Sequence, residues 1–284
     1  MRRHPLAARS ALTLAAAAAL VGACADRPAP TAPQPTAAAR IVNGVYDATN
    51  RFPAVGALLY DFNRDGVYDA KDQLCTGTLI APTVVLTAAH CVEFLPARAT
   101  LHVSFAADLN GTPPTIAATG FAYDARYATS GRAQLHDIAV VLLPAGATAG
   151  ITPMRLPTAG LLDQLAARNG LRGSTFFNVG YGVSATRSGR PDFGYDGRRN
   201  VSRSPFMALT QTWLGLQMNT NATGLGGDCY GDSGGPKILD RDGYRDIVFA
   251  TVTTGDVPCR ATTWDWRTDT PEARAFLASY VTLP

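Results

Sequence analysis

Three short segments of the sequence carry residue types that can turn a serine hydroxyl into a nucleophile. A serine hydroxyl reacts poorly at neutral pH, so Ser233 needs an adjacent base, for which His90 is the candidate. That base needs a carboxylate, here Asp137, to fix its tautomer and to stabilise the imidazolium. Glycines around Ser233 permit a tight turn in which the N–H groups of Gly231 and Ser233 converge on an oxyanion. The segments are Leu86-Thr87-Ala88-Ala89-His90-Cys91, His136-Asp137-Ile138-Ala139-Val140-Val141 and Gly231-Asp232-Ser233-Gly234-Gly235-Pro236. Together they predict acyl transfer through a serine.

The order of these residues along the chain excludes one class of serine hydrolase. The segment around Ser233 also matches the Gly-x-Ser-x-Gly elbow of α/β-hydrolases, in which the histidine follows the serine. The histidines of this chain are His4, His90, His102 and His136. None follows Ser233, so an elbow would have no base.

The order histidine, aspartate, serine and the three segments themselves resemble the trypsin-like serine protease family. The resemblance covers nearly all of residues 41–284. It implies an all-β fold of two packed six-stranded antiparallel β-barrels with a C-terminal helix. It also implies a serine endopeptidase that hydrolyses peptide bonds through an acyl-enzyme and needs no cofactor for the chemistry.

Arg40-Ile41-Val42-Asn43-Gly44 resembles the activation site of the family's zymogens. The resemblance implies that a trypsin-like protease cleaves after Arg40 and frees an ammonium group at Ile41. In the family that charge pairs with the aspartate before the nucleophile, here Asp232. Because a buried ion pair is favourable only when both partners are present, this pairing works as a switch. Without cleavage, we expect the oxyanion hole to be malformed.

Further segments extend the resemblance. Gly180-Tyr181-Gly182 matches the family's Gly-aromatic-Gly segment in the second barrel. The resemblance implies two disulfides, Cys75 with Cys91 beside the histidine and Cys229 with Cys259 beside the specificity pocket. Both are typical of an oxidising compartment.

The specificity pocket departs from the trypsin pattern. Gly227 occupies the pocket base, where trypsins have Asp, but Asp228 follows it and Asp265 lies in the segment expected to form a wall. A carboxylate in a narrow pocket prefers a cationic partner. The alternative is that Asp228 joins a local hydrogen-bond network and the pocket is neutral. Thr253-Thr254-Gly255 also replaces the usual Ser-Trp-Gly, so the neighbouring subsite lacks an indole wall.

An acidic loop precedes the catalytic histidine and fits the twelve-residue calcium pattern, with Gly66 at the sharp turn. Its six candidate ligands are Asp61, Asn63, Asp65, Val67 (through its carbonyl), Asp69 and Asp72. Position twelve is Asp instead of the usual Glu, and neither flank is typical of an EF-hand helix. The loop predicts a structural calcium ion; the alternative is an exposed hairpin with solvated charges.

The first forty residues read as export and linker sequence. Residues 1–25 combine a basic start with an apolar stretch too short to span a bilayer as a mature helix. Val21-Gly22-Ala23-Cys24 resembles a bacterial lipobox and would make Cys24, the odd one of five cysteines, a lipid anchor. An ordinary signal peptide with an incidental Cys24 is the alternative. Residues 26–40, rich in Pro and Ala, are predicted to be an extended linker, and 41–284 the protease domain.

Charge and composition limit the partners. Without residues 1–40, the chain has 20 basic and 21 acidic residues. This balance indicates no nucleic-acid patch, and no later apolar run is long enough to span a membrane. From the export signal, the lipobox and the family resemblance we expect an exported bacterial monomer, periplasmic, tethered to the outer membrane or extracellular, that acts on protein or peptide substrates. A catalytically silent pseudoprotease that binds other molecules on the same scaffold is the alternative function.

Short β-type runs separated by Gly, Pro, Asn and Asp predict an all-β domain. The runs are Ala54–Tyr60, Thr78–Thr87, Thr100–Phe105, Ile138–Leu143, Phe176–Val179, Lys237–Leu239 and Ile247–Thr253. Two helices are predicted, over Leu161–Asn169 before Gly170 and over Ala273–Val281 after the cap Thr270 and Pro271.

Overall fold

The computed structural model describes residues 41–127, 134–183 and 196–284, and within them fourteen β-strands form two antiparallel sheets. The strands are β1 Val45–Tyr46, β2 Val55–Leu59, β3 Gln73–Ala81, β4 Val84–Thr87, β5 His102–Ser104, β6 Ile116–Ala117, β7 Gly120–Tyr123, β8 Ala139–Leu142, β9 Thr175–Gly180, β10 Asn200–Leu209, β11 Trp213–Gln217, β12 Pro236–Leu239, β13 Ala250–Gly255 and β14 Thr262–Arg267. The helices are α1 Leu161–Ala167, α2 Thr220–Thr223 and α3 Pro271–Leu277, with 3-10 turns at Ala70–Asp72 and Ala89–Cys91.

The predicted fold class is confirmed, with one difference between the two sheets. In the second sheet the order is β1-β10-β11-β14-β13-β12-β9, and β9 also pairs with β10, so six strands close into a barrel and β1 extends it. The first sheet has the order β6-β5-β2-β3-β4-β8-β7 and remains a half-barrel. Its edge strand β6 is only 2 residues long, and no ladder in the described ranges joins it to β7.

Local sequence explains where some strands begin and end. The predicted run Thr78–Thr87 is split into β3 and β4 by a hairpin at Pro82 and Thr83. Proline lacks the N–H that a strand ladder requires, so the run cannot continue as one strand. Strand β10 was not predicted, because its buried side chains include Ser202 and Ser204, and the pattern therefore lacks apolar alternation.

Both predicted helices are present, and each ends earlier than expected. Helix α1 stops at Ala167. Helix α3 begins at Pro271, and the Thr270 hydroxyl accepts a hydrogen bond from the Ala273 N–H at 3.3 Å, which is the predicted cap. None of the helices in the described part of the chain is long and apolar enough to cross a membrane.

A buried guanidinium links the N-terminal segment and the two sheets. Arg199, immediately before β10, has no exposed surface and donates from Nε to Asp47 Oδ2 at 3.0 Å. Its Nη1 donates to the carbonyl oxygens of Val55 at 2.9 Å and Phe105 at 3.1 Å. Breaking a buried pair by removing one partner costs about 3–5 kcal/mol, so these segments are expected to be coupled energetically.

Candidate active site

Strand pairing brings His90 and Asp137 together. His90 lies in the 3-10 turn after β4 and Asp137 just before β8, and the β4–β8 ladder begins with Thr87 opposite Ala139. Asp137 is fully buried and engages His90 twice. Its Oδ2 lies 2.8 Å from Nδ1 of the ring, and its Oδ1 accepts from the backbone N–H at 2.9 Å. The ring is thereby fixed with Nδ1 as donor, which leaves Nε2 as the nitrogen that can accept a proton.

Ser233 lies beside this pair, held by its own backbone. Its carbonyl oxygen accepts from the Thr76 N–H at 2.9 Å and lies 3.7 Å from Cys91 Sγ. The hydrogen bonds of the described residues include none between the Ser233 hydroxyl and the His90 ring. Such bonds are often long before substrate binds. The side chain is partly exposed, as a nucleophile must be.

The turn before Ser233 exposes two backbone donors. Gly231 has a φ of 91°, and its carbonyl oxygen accepts from Gln73 Nε2 and from Thr76 Oγ1, both at 2.9 Å. These bonds hold the carbonyl away from the nucleophile. Within residues 41–127, 134–183 and 196–284, the N–H groups of Gly231 and Ser233 have no hydrogen-bond acceptor. Both groups are therefore free to donate to a bound acceptor, and the oxyanion hole stays a prediction.

Asp232 is a buried carboxylate that makes no salt bridge among the described residues, although the charge of Lys237 acts on it from a longer distance. It accepts from the N–H of Gly182 and of Cys229, both at 2.8 Å, and no salt bridge includes it. A Cβ on Gly180 or Gly182 would approach its carboxyl to 2.3 or 2.5 Å, which explains both glycines of the Gly-Tyr-Gly segment. Burial, together with the charge of Asp228, raises the pKa of Asp232 to about 7.

The raised pKa of Asp232 predicts that the uncleaved chain loses stability as pH rises. An unfolded aspartate has a pKa of about 3.9. Between that value and about 7, the folded chain retains a proton that the unfolded chain has released, so raising the pH favours unfolding. Urea unfolding of an Arg40→Gln chain at pH 5 and pH 8 measures this decline. We expect Asp232→Asn to reduce it, whereas Asp242→Asn, at a side chain 94% exposed, should not.

The residues after the predicted cleavage site lie close to the segment that leads to Ser233. Ile41 is fully buried, and the Val42 carbonyl oxygen accepts from the Gly227 N–H at 3.0 Å. Arg40, Cys24, the signal peptide and the linker lie outside the described residues.

Four pocket residues predicted from the sequence fall into two groups. Gly227 and Gly255 both approach the side chain of Met218: a Cβ on Gly227 would come within 2.4 Å of its Cγ and Sδ, and one on Gly255 within 3.6 Å of its Cε. Asp228 and Asp265 turn instead toward a buried lysine. The sequence around Lys237 and Met218 carries no motif that would indicate a role in the pocket.

Lys237 joins the two pocket aspartates. It is fully buried on β12, its ammonium donates to Asp228 Oδ1 and, at 2.6 Å, to Asn178 Oδ1, and it lies 3.6 Å from Asp265 Oδ1. Burial alone would lower the pKa of this ammonium, but the charges of Asp228 and Asp265 outweigh burial and raise it. Burial raises the pKa of Asp265 well above its usual range.

The carboxylates of the acidic loop accept hydrogen bonds from the backbone at two separate turns. Asp61 accepts from the N–H groups of Asp65 and Gly66, whereas Asp69 and Asp72 cap the following 3-10 turn. Among the described residues, the one group of three His, Cys, Asp or Glu side chains close enough for a metal is Cys75, His90 and Cys91. Calcium therefore stays a prediction, which melting curves with calcium and with chelator would test.

The two implied disulfides are present. Cys75 bonds to Cys91, and Cys229 to Cys259. The first consumes both sulfurs of the group near His90, so that group is not a metal centre.

Comparison with known proteins decides the family. The family model described as Trypsin matches residues 41–263. The chain belongs to the trypsin family. Over 229 residues it is 32% identical to brachyurin from Leptuca pugilator, covering 76% of this chain and 86% of that protein. A 54-residue stretch is 44% identical to a venom serine protease from Polistes dominula, covering 19% of this chain and 17% of that one.

Solved structures support the trypsin-family fold. HL collagenase superposes with a TM-score of 0.63 at 19% identity, covering 86% of this chain and 100% of that chain. Human heparin binding protein superposes with a TM-score of 0.61 at 18% identity, covering 85% and 96%. Family membership identifies a serine protease that acts on proteins, and the disulfides are typical of secretion.

Proposed function

We propose that the protein is a serine endopeptidase made as a zymogen, with Ser233 as nucleophile, His90 as general base and Asp137 as the carboxylate that orients it. The observation that carries this proposal is the double contact between Asp137 and His90, at 2.8 Å to the ring and 2.9 Å to the backbone. A merely structural histidine requires neither a fully buried carboxylate nor a fixed tautomer.

The reaction follows from these groups. His90 takes the proton of the Ser233 hydroxyl while its oxygen attacks the scissile carbonyl carbon. The N–H groups of Gly231 and Ser233 donate to the oxyanion of the tetrahedral intermediate. The imidazolium then protonates the leaving amine, the peptide bond breaks, and an acyl-enzyme remains. His90 then deprotonates a water that attacks the acyl carbon, and the ester bond to Ser233 breaks as the imidazolium returns a proton to the Ser233 oxygen.

Activation is proposed to depend on Asp232. A buried carboxylate without a cation is costly, and cleavage after Arg40 would supply an ammonium at Ile41, whose side chain is already buried. The new pair would lower the pKa of Asp232 and fix the turn that carries Gly231 and Ser233. If Cys24 is lipidated, the same cleavage would separate the protease domain from its anchor, because no cysteine lies between residues 25 and 40.

A fluorophosphonate probe tests the proposal. We expect the chain cleaved after Arg40 to be labelled on Ser233 and to hydrolyse peptides, and the uncleaved Arg40→Gln chain to be labelled at least a hundredfold more slowly. Labelling at equal rates would contradict the activation step. No labelling of the cleaved chain would favour the alternative, a catalytically silent binding protein.

A further inference from the structure

The buried cluster around Lys237 includes Asp228, which belongs to the segment that leads into Ser233. Two segments border Ser233: residues 227–232, which lead directly into it, and strand β13. The Gly234 N–H donates to the Val252 carbonyl at 2.9 Å, so the middle of β13 runs alongside the residue that follows the nucleophile. The Cys229–Cys259 disulfide ties the first segment to the chain beyond β13.

The ammonium of Lys237 already has carboxylate partners within the protein. Lys237 pairs with Asp228 and reaches Asp265, and all three side chains are buried. Thr263 bridges the carboxylates, with Oγ1 lying 3.0 Å from Asp228 Oδ2 and 2.9 Å from Asp265 Oδ1. A hydroxyl carries a single hydrogen and can donate to only one of them.

Space in the same region is limited by Met218. Its side chain spans from Gly227, on the segment that leads to Ser233, to Gly255 at the end of β13. The volume that two glycines would leave open is therefore partly filled by a methionine. A long side chain entering here would have to displace it.

We propose that Lys237 and Met218 determine the specificity of the protease: Lys237 neutralises Asp228, Met218 shortens the pocket, and the preferred residue before the scissile bond is small and uncharged. This inference rests on the proposed peptidase function. Of the two alternatives that the sequence leaves open, it selects the neutral pocket. An aspartate beside a substrate pocket favours Arg or Lys only when its charge has no partner in the protein.

The test uses the chain cleaved after Arg40 and peptides that differ only in the residue before the scissile bond: Ala, Leu, Phe, Arg, Lys or Glu. Rates are divided by the concentration of Ser233 titrated with a fluorophosphonate. We expect kcat/KM for Ala to exceed that for Arg and Lys by at least tenfold. If the probe labels Ser233 and the Arg or Lys peptide is preferred, the specificity proposal alone is overturned. If the probe does not label Ser233, the proposed peptidase function is overturned.

A matched pair of variants separates size from charge. Met218→Ala should raise kcat/KM for Leu and Phe relative to Ala by about tenfold, the effect of space for one or two methylenes. It should leave kcat/KM for the Arg and Lys peptides low. The double variant Met218→Ala with Lys237→Met has the same added space, but its Asp228 has no cationic partner. Its kcat/KM for the Arg and Lys peptides should exceed that of Met218→Ala at least tenfold. Equal Arg and Lys rates in the two variants would contradict the role of Lys237.

Replacing Lys237 with an apolar residue can prevent folding, so Asp228→Asn, whose amide oxygen can still accept from the Lys237 ammonium, provides an independent readout. If Asp228 serves only Lys237, this variant keeps the wild-type ranking of substrates. A loss of Arg and Lys cleavage in Asp228→Asn, with the other substrates unchanged, would assign substrate binding to Asp228 and overturn the proposal.

Discussion

Replacing Ser233 with alanine is expected to lower kcat for peptide hydrolysis by about 10⁶-fold in the chain that begins at Ile41, the loss typical of removing the nucleophile from such a triad. The fold should be unaffected, because the described contacts of Ser233 are made by its backbone carbonyl with Thr76 and Cys91. Residual catalysis should remain, since the N–H donors at positions 231 and 233 survive the change. Peptide hydrolysis with matched enzyme concentrations measures the effect.

The control for this experiment is Ser279→Ala, at an exposed serine near the C-terminus, which should retain wild-type kcat. His90→Ala should lose nearly as much as Ser233→Ala, and the double variant little more, because the two residues act in one step. If Ser233→Ala kept more than a hundredth of wild-type kcat, another nucleophile would have to be sought.

The second large effect is expected for Asp137→Asn, with a loss of about 10⁴-fold in kcat, the magnitude known for this change in enzymes with the same triad. Asparagine fits the space but presents an NH₂ group where Asp137 Oδ1 or Oδ2 now accepts from His90. The ring would then adopt the opposite tautomer, with its proton on Nε2, and could not accept the proton of Ser233. Hydrolysis of one peptide by the variant and the wild-type chain at matched enzyme concentration measures the loss.

The matched control is Asp246→Asn, at a carboxylate 58% exposed that pairs with Arg155 on the surface. It should keep kcat within about twofold, as is usual for substitutions of exposed residues. A loss of less than tenfold in Asp137→Asn, with the fold intact, would mean that His90 does not need this carboxylate to hold its tautomer.

The sequence predicted the site where chemistry restricts the choice of residue. A nucleophilic serine, its base and the base's carboxylate tolerate no substitutes, so His90, Asp137 and Ser233 stood out as local motifs. The disulfides followed from the family resemblance, and the Thr270 cap followed from hydrogen bonding within one turn. Each of these predictions depends on few neighbours.

Lys237 could not be predicted in the same way. It follows Pro236 in a short apolar run, and nothing nearby indicates that its side chain is buried. Its partners Asp228, Asp265 and Asn178 come from three other parts of the chain and meet only when β9, β12 and β14 are placed in one closed barrel. The pairing of Asp228 and Asp265 with Lys237 depends on the same tertiary structure. The sequence alone therefore leaves both carboxylates as candidates for substrate binding.

Arg199 has a consequence for how such a chain can be divided. Its guanidinium belongs to the closed barrel, whereas its acceptors, Asp47 and the carbonyls of Val55 and Phe105, belong to the N-terminal segment and the half-barrel. A fragment that began after β1 would keep Arg199 but lose Asp47, and would leave a buried charge without its counterpart. The boundary between the sheets is therefore a poor place for recombination, and a functional chimera of two such proteases would need to inherit Asp47 and Arg199 from the same parent.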